Sequence, residues 1–254
     1  MAKPAIQAVT FDLWDTVFFD DSDEPKRAAQ GLAPKPVERR NLVHRFLERH
    51  APLPRERVDV AYDTVDAAFR EVWDKQHVTW TVHERLSVLL AGLGRSLREP
   101  ELAELVRLHE EMELAVRPDL VRGVREALRS IHGKYRLGVV SDAIFSPGRA
   151  LRELLDGEGL LELFDAFVFS DEVGFSKPVP AVFEAAAKAL GVDLPELVHV
   201  GDREQNDVEG AHAVGARAIL CTVARDRRSQ ETKADAVCDD YRNLPSILEM
   251  LSHK

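Results

Sequence analysis

Thiols, basic excess and long apolar runs are what this sequence is short of. Its two cysteines, Cys221 and Cys238, have no metal-type spacing and fit a reduced, cytoplasmic protein. Acids outnumber bases 44 to 34, a net charge of −10. That argues against a nucleic-acid or anionic-membrane partner, both of which need a basic face. An anionic small molecule stays open, because a metal ion can reverse the local field. No run of about 20 apolar residues occurs, and the opening MAKPAIQAVTFDLW lacks the apolar core of a signal peptide. A soluble, cytoplasmic protein is expected. At 254 residues, 45% hydrophobic and 31% charged, the chain can bury a large core, as one domain or a domain with an insertion. Nothing in the pattern specifies an oligomeric state.

Short apolar runs alternate with helical patterns. Residues 5–11 (AIQAVTF), 136–140 (RLGVV), 166–170 (AFVFS), 197–200 (LVHV) and 217–223 (RAILCTV) are predicted strands, too short for helices and rich in β-branched or aromatic residues. VRGVREALRSIHG is a predicted helix stopping at Gly133. PAVFEAAAKALG is another, from Pro180 to Gly191. This alternation predicts an α/β fold, a Rossmann-like parallel sheet with helices on both faces. Ligands of such sheets sit beyond the carboxyl ends of the strands, which lines Asp12, Ser141, Asp171 and Asp202 along one edge.

Residues 18–116 break the pattern. Val58, Ala61, Val65, Ala68, Phe69 and Val72 recur at helical spacing. Thr81 and Glu84 form a capping box for HERLSVLLAGLG, and 101–116 reads as one more helix. The stretch 19–38, polar and proline-containing, reads as a loop. We therefore expect a core of residues 1–17 and 117–254, with 18–116 as a small all-helical cap domain.

Each strand end carries a distinctive cluster: FDLWDTV with Asp12, VVSDA with Ser141, GFSKPVPAVFEAA with Lys177, and HVGDREQNDVEGAHAVGA with Asp202 and Asp207. Singly, each has a bland reading. An acid at a strand end is mostly solvated, Ser141 is a turn or cap, Lys177-Pro178 is a surface loop, and Asp202 and Asp207 begin a helix. Together, coincidence explains them poorly. A carboxylate at a strand tip can act as a nucleophile, and a serine hydroxyl can hold a phosphoryl oxygen. A lysine can neutralise the transferring charge, and paired carboxylates with waters suit Mg²⁺.

The ordered set resembles the haloacid dehalogenase superfamily of hydrolases over essentially the whole chain, and the helical insertion matches the cap of its small-molecule phosphatases. The resemblance implies Asp12 as nucleophile, Lys177 as its stabilising catalytic partner, and Ser141 and Asp142 at the bound phosphoryl group. It implies Mg²⁺ on Asp12, Asp202 and the Trp14 carbonyl, with Asp207 supporting the metal shell. The expected substrate is a small phosphorylated metabolite.

One position departs. Phosphatases of the family carry Asp-x-Asp in the first motif, the second acid protonating the leaving alcohol. Here Trp14 stands in place of that acid, to stack on the substrate, wall the substrate site or pack beneath the cap. Asp15 is one position out of phase and is expected to point away. A substrate with a good leaving group would tolerate the loss. A 2-haloacid dehalogenase also has an aromatic residue at this point, but GDREQND keeps metal acids that would repel a halocarboxylate; phosphatase chemistry is expected first. A catalytically weakened binding protein is the third reading. In the cap, Phe69, Trp73 and Trp80 could line a pocket but read first as core; Arg39, Arg40 and Arg45 could bind a substrate carboxylate or phosphate but read first as a solvated helix face; and His44, His50, His77 and His83 show no metal spacing.

Overall fold

The computed structural model describes residues 5–253. Six parallel strands form one sheet: β1 (Ala8–Phe11), β2 (Arg136–Ser141), β3 (Ala166–Phe169), β4 (Leu197–Gly201), β5 (Arg217–Cys221) and β6 (Ala236–Cys238), in the order β3-β2-β1-β4-β5-β6. The expected edges of the outermost 1–17 and 117–254 segments, residues 1–4 and 254, lie outside the described residues.

The sheet is buried on both faces because most of its strand positions are apolar. Successive side chains point opposite ways, so Val9, Phe11, Leu137, Val139, Val198, Val200 and Ile219 enter one core and Ala8, Val140, Leu197, Ala218 and Leu220 the other. Helices Val124–Ile131, Gly148–Gly157 and Leu244–Ser252 cover the first face; Pro180–Leu190 and Gly210–Ala213 cover the second. Gly133 and Gly191 end their helices at φ 79° and 64°, the left-handed conformation that glycine adopts without strain.

Between β1 and β2 lies a helical cap with its own core, built from Leu42, Val43, Phe46, Val58, Val65, Leu86, Leu89 and Leu105 among others. Its long helix Arg55–Gln76 follows the predicted spacing. The capping box forms as expected: the Glu84 backbone N–H donates to Thr81 Oγ1 and the Glu84 carboxylate accepts from the Thr81 N–H.

Two expectations fail here. Residues 19–38 are not a loop: Asp23–Ala29 is helical, with Asp23 and Glu24 in its first turn, and the helix Lys35–Glu48 begins before the stretch ends. Acids at a helix N-terminus complement its dipole, but it is contacts beyond the helix, such as Lys35 on Asp23 at 2.8 Å, that hold this short turn. Residues 101–116 are not one helix either; Glu99–Glu110 and Met112–Ala115 are separated at Glu111, where φ is −101°. The last strand, β6, is absent from the expectation, being only three residues long.

Candidate active site

In a sheet of this order the chain turns in opposite directions after β1 and β4, opening a crevice at their carboxyl ends. Asp12 follows β1 directly, its N–H donating to Val200 O on β4. Ser141 ends β2 and Asp202 follows β4. The sheet alone therefore gathers residues far apart in sequence.

Asp12 is buried, and its Oδ1 accepts from Ser141 Oγ at 2.9 Å and from Lys177 Nζ at 2.6 Å. The same ammonium donates to Asp207 Oδ1 at 2.6 Å. Burial alone would push the Lys177 ammonium down; Asp12, Asp207 and Asp142 outweigh it and hold it well above its ordinary value. For Asp207, burial raises the pKa, but Lys177 and a hydrogen bond from His199 hold it well below the ordinary carboxylate range. Both Asp207 oxygens are engaged, since Oδ2 accepts from the Arg203 N–H at 2.8 Å. Gly201 makes room for it: a Cβ there would lie 2.2 Å from Asp207 Cγ.

His199 and Thr10 extend the network on the far side of the sheet. His199 Nε2 meets Asp207 Oδ1 at 3.1 Å and Nδ1 meets Thr10 Oγ1 at 2.9 Å. Burial, the largest effect, and the Lys177 charge hold this imidazole below its ordinary value. A neutral ring with its proton on Nε2 satisfies both bonds, taking the Thr10 hydroxyl proton at Nδ1.

Asp12, Asp202 and Asp207 each present a carboxylate oxygen, these lying within 4.8 Å of one another; among the described residues this is the one such group of potential metal ligands. Burial first, then Asp12 and Asp207, push the Asp202 carboxyl up to about 7. Arg227 opposes that shift, its Nε donating to Asp202 Oδ2 at 2.5 Å and its NH2 to Asp15 Oδ2 at 2.7 Å. Asp15 has φ 53° and does not line the crevice.

Asp142 lines the crevice, but its carboxylate accepts from the Lys177 N–H at 3.0 Å and so fixes the lysine's backbone. Burial first raises this carboxyl to about 6, against the Lys177 charge. Asp171, expected on the same edge, instead accepts from the Gly148 N–H at 3.1 Å. It starts the helix Gly148–Gly157 and takes no part in the site.

A cavity of about 270 Å³ lies between cap and sheet edge, lined by Asp12, Trp14, Lys177 and Asn206 below and by Asp20, Lys35, Arg39 and Trp73 above. Trp14 is half-buried and tilted against Phe18, ring centroids 6.3 Å apart. The solvated-face expectation for Arg39 is wrong. It is 5% exposed, with its guanidinium 3.4 Å from the Phe145 ring centroid, because the helix Lys35–Glu48 turns this side toward the sheet edge. Arg45 does stay outward, paired with Glu38, but Arg40 is only partly exposed, paired with Asp63 and lying 4.7 Å over the Tyr62 ring. Trp73 lines the cavity instead of the core, whereas Phe69 is buried, against Trp80 and Arg85. Arg39 Nε and Trp73 Nε1 are buried donors with no protein acceptor among the described residues. Sequence reasoning missed Asp20, Lys35, Arg203, Asn206 and Arg227. Only Arg203 and Asn206 carried a signal, lying inside the fourth motif.

Fold and site define an α/β protein with a clamped carboxylate at the carboxyl ends of a parallel sheet, and the comparison with known proteins gives its class. Residues 6–215 match the family model described as haloacid dehalogenase-like hydrolase, and the chain belongs to that family. It is 28% identical over 251 residues to a glyceraldehyde 3-phosphate phosphatase of Methanothermobacter thermautotrophicus, covering 96% of this chain and all of that one. To a phosphoglycolate phosphatase of Cereibacter sphaeroides it is 31% identical over 156 residues, 61% of this chain and 69% of that one. Among solved structures, a 2-haloacid dehalogenase from Pseudomonas syringae superposes with a TM-score of 0.64, covering 96% of this chain and 99% of that one, at 23% identity. At that identity the likeness is one of fold.

Proposed function

We propose that this hydrolase is a Mg²⁺-dependent phosphatase acting on a small phosphorylated metabolite through an aspartyl-phosphate at Asp12. The observation that carries the reading is the clamp on Asp12: Ser141 and Lys177 hold Oδ1, and among the described residues no hydrogen bond reaches Oδ2. One oxygen is thus fixed while the other stays available as nucleophile. Relatives named for glyceraldehyde 3-phosphate and phosphoglycolate support the substrate class.

The donor set fits a hard cation, since clustered carboxylate oxygens beside a solvent-reaching cavity suit Mg²⁺ with part of its water shell. Asp12, Asp202 and the Trp14 carbonyl would hold it, while Asp207, already saturated by Lys177 and Arg203, would support that shell. When bound, Mg²⁺ supplies positive charge for a dianionic phosphoryl group. Lys177 adds a fixed charge at the same oxygens. Ser141 and Asp142 orient the nucleophile and the lysine. Residues 18–116 act as the cap. Its hinge is the pair of linkers at 17–22 and 116–120, which run side by side with the Phe19 N–H donating to Asp119 O and the Val121 N–H to Val17 O. Arg39 and Trp73 line the cavity's upper half, and each keeps a donor nitrogen without a protein acceptor among the described residues; these groups would donate to acceptor atoms of a polar substrate.

The test is hydrolysis of p-nitrophenyl phosphate and acetyl phosphate, against 2-chloropropionate, with and without Mg²⁺. Phosphate release that needs the metal and disappears in Asp12→Asn is expected. Chloride release without metal would replace the phosphatase reading by a dehalogenase one, and no turnover of any of the three would leave a binding protein.

A further inference from the structure

We propose that Asp20, on the loop leading into the cap, is the proton-transfer residue of this site, standing in for the acid that Trp14 replaces. The inference rests on the phosphatase reading. An indole N–H donates hydrogen bonds but does not exchange a proton at neutral pH, so Trp14 cannot do the work of an acid. The cavity itself offers Asp12, Asp20, Asp21, Glu113, Asp142 and Asp207, and their bonds separate them. Asp12 is the nucleophile. Asp142 and Asp207 are held by the backbone and ammonium of Lys177. Glu113 is tied to Ser146 Oγ at 2.6 Å and Lys35 at 3.0 Å, and exposed Asp21 pairs with Lys35 at 3.3 Å. Asp20 alone has a carboxyl with no hydrogen bond or ion pair among the described residues, half-buried in the cavity wall.

Asp15, nearer the nucleophile in sequence, is excluded by the bonds it makes. Arg227 holds one of its oxygens, and the other accepts from the Asp20 N–H at 3.2 Å. Asp15 thus anchors the loop on which Asp20 sits. The charged groups around Asp20 are Asp21 and Asp15, which disfavour its ionised form, and Lys35 and Arg203, which favour it; burial is the largest effect, and the carboxyl is pushed up to about 6. A carboxyl raised into this range can give a proton and, once ionised, take one back.

The steps balance. Asp12 Oδ2 attacks phosphorus as the bond to the leaving oxygen breaks; that oxygen keeps the electron pair and takes the proton of the Asp20 carboxyl. Water then attacks the aspartyl-phosphate, passing a proton to the Asp20 carboxylate as the bond between phosphorus and Asp12 breaks. Orthophosphate leaves, and both carboxyl groups return to their starting states.

The experiment compares kcat/KM for p-nitrophenyl phosphate, a good leaving group, and phenyl phosphate, a poor one, in wild-type, Asp20→Asn, Asp20→Glu and Asp15→Asn enzymes with Mg²⁺. Asp20→Asn is expected to lose about 10²-fold on phenyl phosphate, at least tenfold more than on p-nitrophenyl phosphate. Wild-type activity on phenyl phosphate should fall as the pH rises through about 6, a limb missing from Asp20→Asn and recovered in Asp20→Glu. Equal losses on both substrates, or a leaving-group-selective loss in Asp15→Asn instead, would overturn the proposal and leave the phosphatase reading intact. If Asp20→Asn does not fold, Asp20→Ser and the wild-type pH profile decide. A wild-type enzyme inert towards both phosphates would bring down the phosphatase reading, and the role of Asp20 with it.

Discussion

The buried charges at the centre of the site are stable only as a set. Lys177 is 3% exposed, with Asp12 and Asp207 each 2.6 Å from its ammonium. Removing the cation leaves two carboxylates facing each other without compensation, which costs about 3–5 kcal/mol in buried pairs. Lys177→Met is therefore expected to lower stability by that order in urea unfolding and to abolish phosphate release, whereas a surface lysine would move neither. The motifs made the grouping of Asp12, Ser141, Lys177, Asp202 and Asp207 legible because each lies at or soon after the carboxyl end of a strand of one parallel sheet. Asp20 was not legible. Its environment is set first by burial in the cavity wall and then by Asp21, Asp15, Lys35 and Arg203, and no local pattern announces the burial or the neighbours from the cap and the sheet edge.

At the scale of elements, the cap helices carry both the clearest and the most misleading signals. The Thr81 capping box could be read directly because its bonds are local. The helix Asp23–Ala29 could not, since it has seven residues and isolated helices of that length do not hold in water. Its stability is tertiary: Arg27 donates to Ala33 O and Lys35 reaches Asp23 at 2.8 Å. The helix Glu99–Glu110 contributes His109, fully buried and stacked on Tyr62 with ring centroids 6.3 Å apart. Burial, reinforced by the charges of Arg39 and Arg85, holds this imidazole down at about 4, against an ordinary 6.5. As pH falls below 6.5, the unfolded chain takes up a proton that the folded one refuses, so stability is lost until about pH 4. That shift corresponds to at most about 3 kcal/mol. Unfolding measured at pH 7 and pH 4.5 should show a smaller acid loss in His109→Phe than in wild type; equal losses would show that His109 is protonated in the folded cap.

At the scale of the whole molecule, cap and core touch close to the chemistry. The Thr79 N–H donates to Gly174 O at 3.2 Å and the Ser176 N–H to His77 O at 2.8 Å, next to Lys177 in sequence. Arg85 reaches Ile144 O at 3.1 Å from the cap. Opening the cap must break these bonds, which couples closure to the loop that carries the lysine. With saturating Mg²⁺ and inorganic phosphate, the Thr79 and Ser176 amides are expected to exchange about tenfold more slowly. Unchanged exchange there would show a cap fused to the core.

The sequence by itself determined the alternation of strands and helices, the parallel sheet and the four strand-end motifs, because side-chain periodicity and obligatory chemistry are properties of short segments. Only the tertiary structure decided that Arg39 is buried over Phe145, that Asp171 starts a helix away from the site, that Arg227 bridges Asp15 and Asp202, and that Asp20 faces the cavity. Each of those outcomes depends on what a distant part of the chain places alongside, and burial and electrostatics take their values from that company.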